Sequence, residues 1–304
     1  MTAAHRLTPL TQLFQYARLM TTLNLVIQSP ALSGDLIEHA AAIAEASGVQ
    51  RLGTTAARIL NVSDDISVRE EIRRWGERVS VDTAYVTPGA RLSDCKLLAM
   101  DMDSTLINIE CIDEIAAFGG VKEQVASITE AAMRGEIKDF SESLIRRVAF
   151  LKGLSTEVLQ SVYEQKLRLN PGAEQLVKAA QQAGLKVLLV SGGFTFFTEK
   201  LKALLGLDAA HANVLESSEG LLTGRVNGRI LDAQGKADTL STLAQELNAK
   251  PEQIIAIGDG ANDLKMLGLA GYSVAYRAKP VVQAQAKYAL NYSALDGVLN
   301  WFER

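Results

Sequence analysis

The rhythm of hydrophobic and polar positions divides the chain. Residues 21–28 (TTLNLVIQ) alternate and are rich in β-branched side chains, which predicts a strand. Residues 33–47 (SGDLIEHAAAIAEAS) read as a helix with Ser33 or Asp35 as its cap. A strand is expected near 51–60, and a helix over 66–79 despite Gly76. Two strand-plus-helix units predict a small α+β domain over 1–94. It ends in TPGARLSD (87–94), where Pro88 and Gly89 break regular structure.

Beyond this junction the pattern changes. KLLAM (96–100), KVLLV (186–190) and QIIAI (253–257) are short continuous apolar runs, and 272–276 is a fourth candidate strand. Helical patterns at 172–183, 195–205 and 236–247 lie between them. This alternation predicts an α/β domain over 95–304, a parallel sheet covered on both faces. Residues 111–169 interrupt it with four helical stretches, 111–118, 122–134, 139–149 and 155–167. They are expected to form a helical cap inserted after the first strand. The segment 212–231, with Gly220, Gly224 and Gly228, reads as short strands and turns.

Composition narrows the class. A chain of 304 residues with 48% hydrophobic and 22% charged positions has room for two packed cores. The 31 Lys and Arg against 35 Asp and Glu give a net charge of -4, with no basic stripe, so a nucleic-acid partner is not expected. Two cysteines without a CxxC and three scattered histidines argue against a disulfide framework, a zinc site or a histidine-centred triad. No apolar run is long enough for a spanning helix, and the first residues lack a secretory pattern, so a cytoplasmic protein without membrane association is the expectation.

Candidate chemistry gathers at the strand ends. In open parallel sheets, ligands bind beyond the carboxyl ends of the strands. Asp101, Ser191 and Asp259 each follow a predicted strand directly. Within DMDST, a carboxylate can attack phosphorus or bind a hard cation such as Mg²⁺, and Asp103 can serve a leaving group as general acid. Ser191-Gly192-Gly193 offers a hydroxyl and exposed N–H groups to an oxyanion. Lys236 opens a predicted helix and can neutralise a phosphoryl group. In GDGAND, Asp259 can supply a further acidic ligand, Asn262 can orient phosphate or water, and Asp263 can hold Lys236 or a ligand water. Alone, each motif is also compatible with a cap or a tight turn.

In this order, DMDST, SGG, Lys236 and GDGAND resemble the haloacid dehalogenase-like phosphatases. With DMDSTLINIECIDEIA, the MRGE and SLIRRV segments, LNPG, SGGFTFF and GKADTL, residues 95–304 look like the bacterial phosphoserine phosphatases. That resemblance implies a Rossmannoid sheet with a small helical cap and Mg²⁺-dependent hydrolysis of O-phospho-L-serine, the last step of serine biosynthesis. It implies Asp101 as nucleophile and Asp103 as general acid and base. It implies metal ligation by Asp101, the Asp103 carbonyl and Asp259, with Asp263 supporting the metal shell. Ser191, Gly192, Lys236 and Asn262 would hold the phosphoryl group. Glu110 would meet the substrate ammonium and Arg147 its carboxylate, while Met133 and Phe140 would pack over its short apolar part. Lys138 is one residue more than the family spacing between Met133 and Phe140.

Other readings remain open on sequence alone: a phosphatase or phosphotransferase for another small phosphomonoester, or a non-catalytic amino acid sensor. The amino-terminal α+β domain resembles the regulatory domains of some family members. An amino acid ligand, homodimer formation or simple bracing are its alternatives.

Overall fold

The computed structural model describes residues 23–133, 136, 137 and 139–303. They form two compact units, one up to Arg91 together with the segment from Asn300, the other Leu92–Leu299.

The first unit runs β1 (Leu23–Gln28), α1 (Gly34–Ile43), β2 (Gly48–Arg51), β3 (Ala56–Val62), α2 (Ile66–Val79) and β4 (Asp82–Val86). Its sheet has the order β2-β3-β1-β4 with antiparallel neighbours, a split βαβ arrangement. Ser33 caps α1 through a hydrogen bond from the Leu36 N–H at 3.3 Å. Asp65 caps α2 by accepting from Ser67 N–H at 2.8 Å. Gly76 is tolerated inside α2 because a side chain there would meet the Val81 carbonyl at 2.6 Å. Leu25, Ile27, Ile37, Ile59, Ile72 and Trp75 belong to one apolar core.

The strand expected near 51–60 is instead two strands, broken at Gly53, whose φ of +127° only glycine adopts readily. β4 is a strand that the pattern does not predict. The carboxyl-terminal residues also return to this unit. Buried Arg58 donates from Nη2 to the carbonyls of Asn300 (3.0 Å) and Phe302 (2.9 Å). Glu303 N–H donates to Ala90 O at 2.7 Å.

The second unit is built on a seven-stranded sheet. Its strands are β5 (Leu97–Met100), β6 (Lys186–Phe194), β7 (Ala209–Ser218), β8 (Leu221–Asn227), β9 (Ile254–Gly258), β10 (Tyr272–Tyr276) and β11 (Tyr288–Leu290). The order is β11-β10-β9-β5-β6-β7-β8. All neighbours are parallel except β7 and β8. The sheet is therefore mixed rather than wholly parallel. Glu219 and Gly220 both have positive φ, as a two-residue hairpin turn requires, and this turn folds β8 back as an antiparallel edge. β11 is too short and too polar in its surroundings to stand out in the pattern.

β5 is central, and its four residues are wholly buried. The chain leaves β5 to build β6–β8 on one side and returns to build β9–β11 on the other, so β5 marks the switch point of the sheet. Between β5 and β6 lie α3 (Cys111–Phe118), α4 (Lys122–Met133), α5 (Phe140–Ala149) and α6 (Glu157–Gln165), the expected helical insertion. Lys138 lies outside the described residues. The two chain segments joining the insertion to the sheet pair at Ile107 and Leu169.

Both tryptophans, Trp75 and Trp301, lie in the first unit, so their fluorescence reports its unfolding. Arg58→Leu should destabilise this unit by about 2–4 kcal/mol, because one buried and one half-buried carbonyl lose their donor. Denaturant titration followed by tryptophan emission measures this as a lower midpoint.

Candidate active site

The site is built at the carboxyl end of β5. Asp101 follows the strand, and its N–H donates to Ile257 O of β9 at 3.0 Å, so the sheet ladder fixes its backbone. Its Oδ1 accepts from Met102 N–H at 2.7 Å and lies 2.8 Å from Lys236 Nζ. Lys236 comes from the helix Ala233–Glu246 and is fully buried. Its ammonium also donates to Asp263 Oδ1 at 2.7 Å. Asp263 Oδ2 in turn accepts from the N–H groups of Asp259 (3.2 Å) and Gly260 (3.0 Å). One lysine thus joins the end of β5 to the loop after β9.

The electrostatics follow from burial. Burial by itself weakens the hold of Lys236 on its proton, but Asp101 and Asp263 outweigh it and hold the ammonium charged beyond the ordinary lysine range. Burial, followed by the charge on Asp263, raises Asp101 well above the usual carboxylate range. Asp259 is raised to about 7 by burial and then by Asp263 and Glu110, although Thr105 Oγ1 donates to its Oδ1 at 3.0 Å. Asp103 is raised to about 7 by burial and the nearby Glu110. Several carboxylates thus share one buried ammonium, and a further cation would relieve their repulsion. Carboxylate oxygens of Asp101, Asp259 and Asp263 lie within 4.8 Å of one another, a cluster able to chelate a divalent metal.

The turn after Asp101 is tight. Ser104 has φ of +55°, and Ile107 N–H closes back on Met102 O at 3.0 Å. Buried Asn170, on the segment leaving the cap, holds this turn. Its Nδ2 donates to the carbonyls of Thr105 (2.8 Å) and Ile107 (3.0 Å). Asp103 Oδ1 accepts from Cys111 N–H at 3.1 Å, at the start of α3. At the end of β6, fully buried Ser191 accepts from Gly193 N–H at 2.9 Å. A side chain at Gly193 would meet Asp103 Oδ2 at 2.5 Å, and one at Gly192 would meet the Phe140 ring at 2.7 Å.

Above this floor lies a cavity of about 380 Å³. Asp101, Asp103, Ser191, Gly192, Asp259 and Asn262 face it from the sheet side, and Glu110, Phe140 and Arg147 line it as well. Lys236 lies beneath it, against Asp101. The side chain of Met133 lies outside the described residues. Sequence reasoning passed over Ser104, Asp113, Lys279 and Asn170. The first three line the cavity, but Ser104 and Asp113 hide inside motifs read for other residues, and Lys279 has no motif around it. For Asn170 the one available signal is the Asn-Pro step in LNPG, a dipeptide that favours turns.

A family model described as haloacid dehalogenase-like hydrolase matches residues 95–271. A domain of unknown function matches 25–72. A phosphoserine phosphatase of Polaromonas sp. is 58% identical over 217 residues, covering 70% of this chain and 92% of that relative. The chain belongs to the phosphoserine phosphatases of the haloacid dehalogenase-like superfamily. Among solved structures of this family, the unliganded probable phosphoserine phosphatase of Vibrio cholerae aligns over 92% of this chain and 86% of its own. Its TM-score is 0.79 and its identity 37%. A phospho-aspartyl intermediate analogue of a phosphoserine phosphatase aligns over 69% of this chain and 99% of its own, with a TM-score of 0.64 and 39% identity. No described helix is long and apolar enough to cross a membrane.

For a phosphoserine phosphatase, the close approach at Gly193 has a direct consequence. Gly193→Ala should displace Asp103 and lower kcat by about a hundredfold while the protein stays folded, since misplacement of about 1 Å costs that much. Steady-state kinetics beside a melting curve separates the two effects.

Proposed function

We propose that this chain hydrolyses O-phospho-L-serine to L-serine and phosphate with Mg²⁺, through an aspartyl-phosphate on Asp101. The observation that carries the reading is the buried Asp101–Lys236–Asp263 chain beneath a cavity that Glu110 and Arg147 also line.

The donor set suits the metal. Hard carboxylate oxygens and an excess of buried negative charge match Mg²⁺, and thiol and imidazole are absent from the acidic cluster. Asp101, the Asp103 carbonyl and Asp259 would hold the ion. Asp263 falls within the same cluster, but both its oxygens already accept hydrogen bonds, which favours a supporting part. When bound, the ion supplies positive charge that offsets repulsion between a carboxylate nucleophile and a phosphate dianion.

An Asp101 carboxylate oxygen attacks phosphorus, and the bond from phosphorus to the serine oxygen breaks. Asp103 gives its proton to that oxygen. In the second half, Asp103 takes a proton from the water that attacks the aspartyl-phosphate, and phosphate leaves Asp101. A carboxyl raised to about 7 by burial and Glu110 suits a group that must give and then take a proton. Ser191, the Gly192 backbone and Asn262 hold the phosphoryl oxygens, and Lys236 stabilises their charge from beneath Asp101. Glu110 accepts from the substrate ammonium, and Arg147 clamps its carboxylate. Phe140, and by its place in the sequence Met133, cover the substrate's methylene. The α+β unit is read as an accessory domain for regulation or homodimer formation, since every residue lining the cavity belongs to the second unit.

Phosphate release from phosphoserine tests this reading. Chelation of divalent metal should stop turnover and added Mg²⁺ should restore it. Asp101→Asn should reduce kcat by more than about a thousandfold; near-normal turnover would refute the nucleophile. Arg147→Ala should raise KM for phosphoserine by about 10- to 100-fold, the value of a lost charge-assisted contact. It should affect a phosphate ester without a carboxylate far less.

A further inference from the structure

Glu110 sits among competing charges. Arg147 and Lys279 act on it as cations, and Asp113 acts on it as an anion. A carboxylate so placed would ordinarily collapse onto an arginine or lysine. Among the described residues, however, no ion pair within 4.0 Å joins Glu110 to either cation. Its partner is neutral: Ser104 Oγ donates to Glu110 Oε1 at 2.6 Å.

Ser104 reaches that position through an unusual backbone. Its φ of +55° and ψ of -5° lie in a region that residues with a Cβ seldom adopt. Hydrogen bonds on both sides hold it there. Its N–H donates to Ile109 O at 3.1 Å, and Asn170 binds the carbonyls just after it. Strain retained by surrounding contacts at a cavity wall calls for a functional reason. The contact also bridges two parts of the second unit, because Ser104 is in the turn after β5 and Glu110 is the residue that precedes α3 of the cap.

We propose that Ser104 is a specificity-determining positioning residue that holds Glu110 away from Arg147 and Lys279, leaving Oε2 for the substrate ammonium and Arg147 for its carboxylate. The hydroxyl takes no part in bond making or breaking. It is a neutral donor, so it orients the carboxylate without cancelling its charge. This assignment rests on the reading of Glu110 as the ammonium acceptor.

Ser104→Gly is the informative variant, because glycine accepts the positive φ while the hydroxyl that meets Glu110 is lost with its methylene. The full chain is assayed with phosphoserine and with its deamino analogue, the same ester with hydrogen in place of the ammonium group. The kcat/KM preference for phosphoserine over the analogue should fall about tenfold, mainly through KM for phosphoserine. Ser104→Ala should lose the same preference with a lower melting temperature. Glu110→Gln is measured beside them. If Glu110→Gln removes the preference and Ser104→Gly retains it, the Ser104 assignment is wrong while the ammonium site stands. An equal loss for both esters in Ser104→Gly would mean a general structural role and would also overturn the assignment. If Glu110→Gln keeps the preference, the ammonium-site reading itself fails.

Discussion

The catalytic unit depends on one buried ammonium. Lys236 has no access to solvent and survives as a cation only because two aspartates flank it. Those aspartates come from loops more than 150 residues apart in sequence, one after β5 and one after β9, so the lysine ties together the two loops that leave these neighbouring strands. Replacing it with an uncharged side chain would leave uncompensated carboxylates, a costlier state than an apolar core. The pair is therefore justified by chemistry more than by stability. It keeps Asp101, the proposed nucleophile, oriented and leaves the site short of positive charge, which a divalent cation can then provide.

The fold supplies the rest by simple means. A switch point at β5 opens a crevice where loops from both halves of the sheet converge. Glycines at 192 and 193 let the β6 end approach Asp103 and Phe140 more closely than any side chain would permit. The cap is anchored by a short two-strand crossing, and Asn170 ties that crossing to the same turn that carries Asp103 and Ser104. In the proposed function this links substrate recognition to phosphoryl transfer, because the turn that carries Asp103 also carries the Ser104 contact to Glu110.

Much of this was legible in the sequence where chemistry coincides with a strand end. Asp101, Ser191 and Asp259 announce themselves because an apolar run stops abruptly on a polar residue. The four cap helices were legible from their periodicity. What escaped was set by backbone geometry or by distant partners. β4 and β11 are short strands whose burial depends on neighbours. The turn at Gly53 splits what reads as one strand. The return of the last residues to the first unit depends on Arg58, some 240 positions away. Ser104 looked like part of a phosphatase motif, and nothing in its identity reveals a positive φ or a partner in the cap.

The central claim is that the carboxylate held by Lys236 is the group that carries the phosphoryl. Rapid acid quenching of the enzyme during phosphoserine turnover, followed by peptide mass analysis, tests it most directly. The account predicts phosphate on the peptide containing Asp101, attached to that side chain and absent without divalent metal. Phosphate on any other residue, or turnover with no phosphorylated peptide under conditions that trap acyl phosphates, would contradict it.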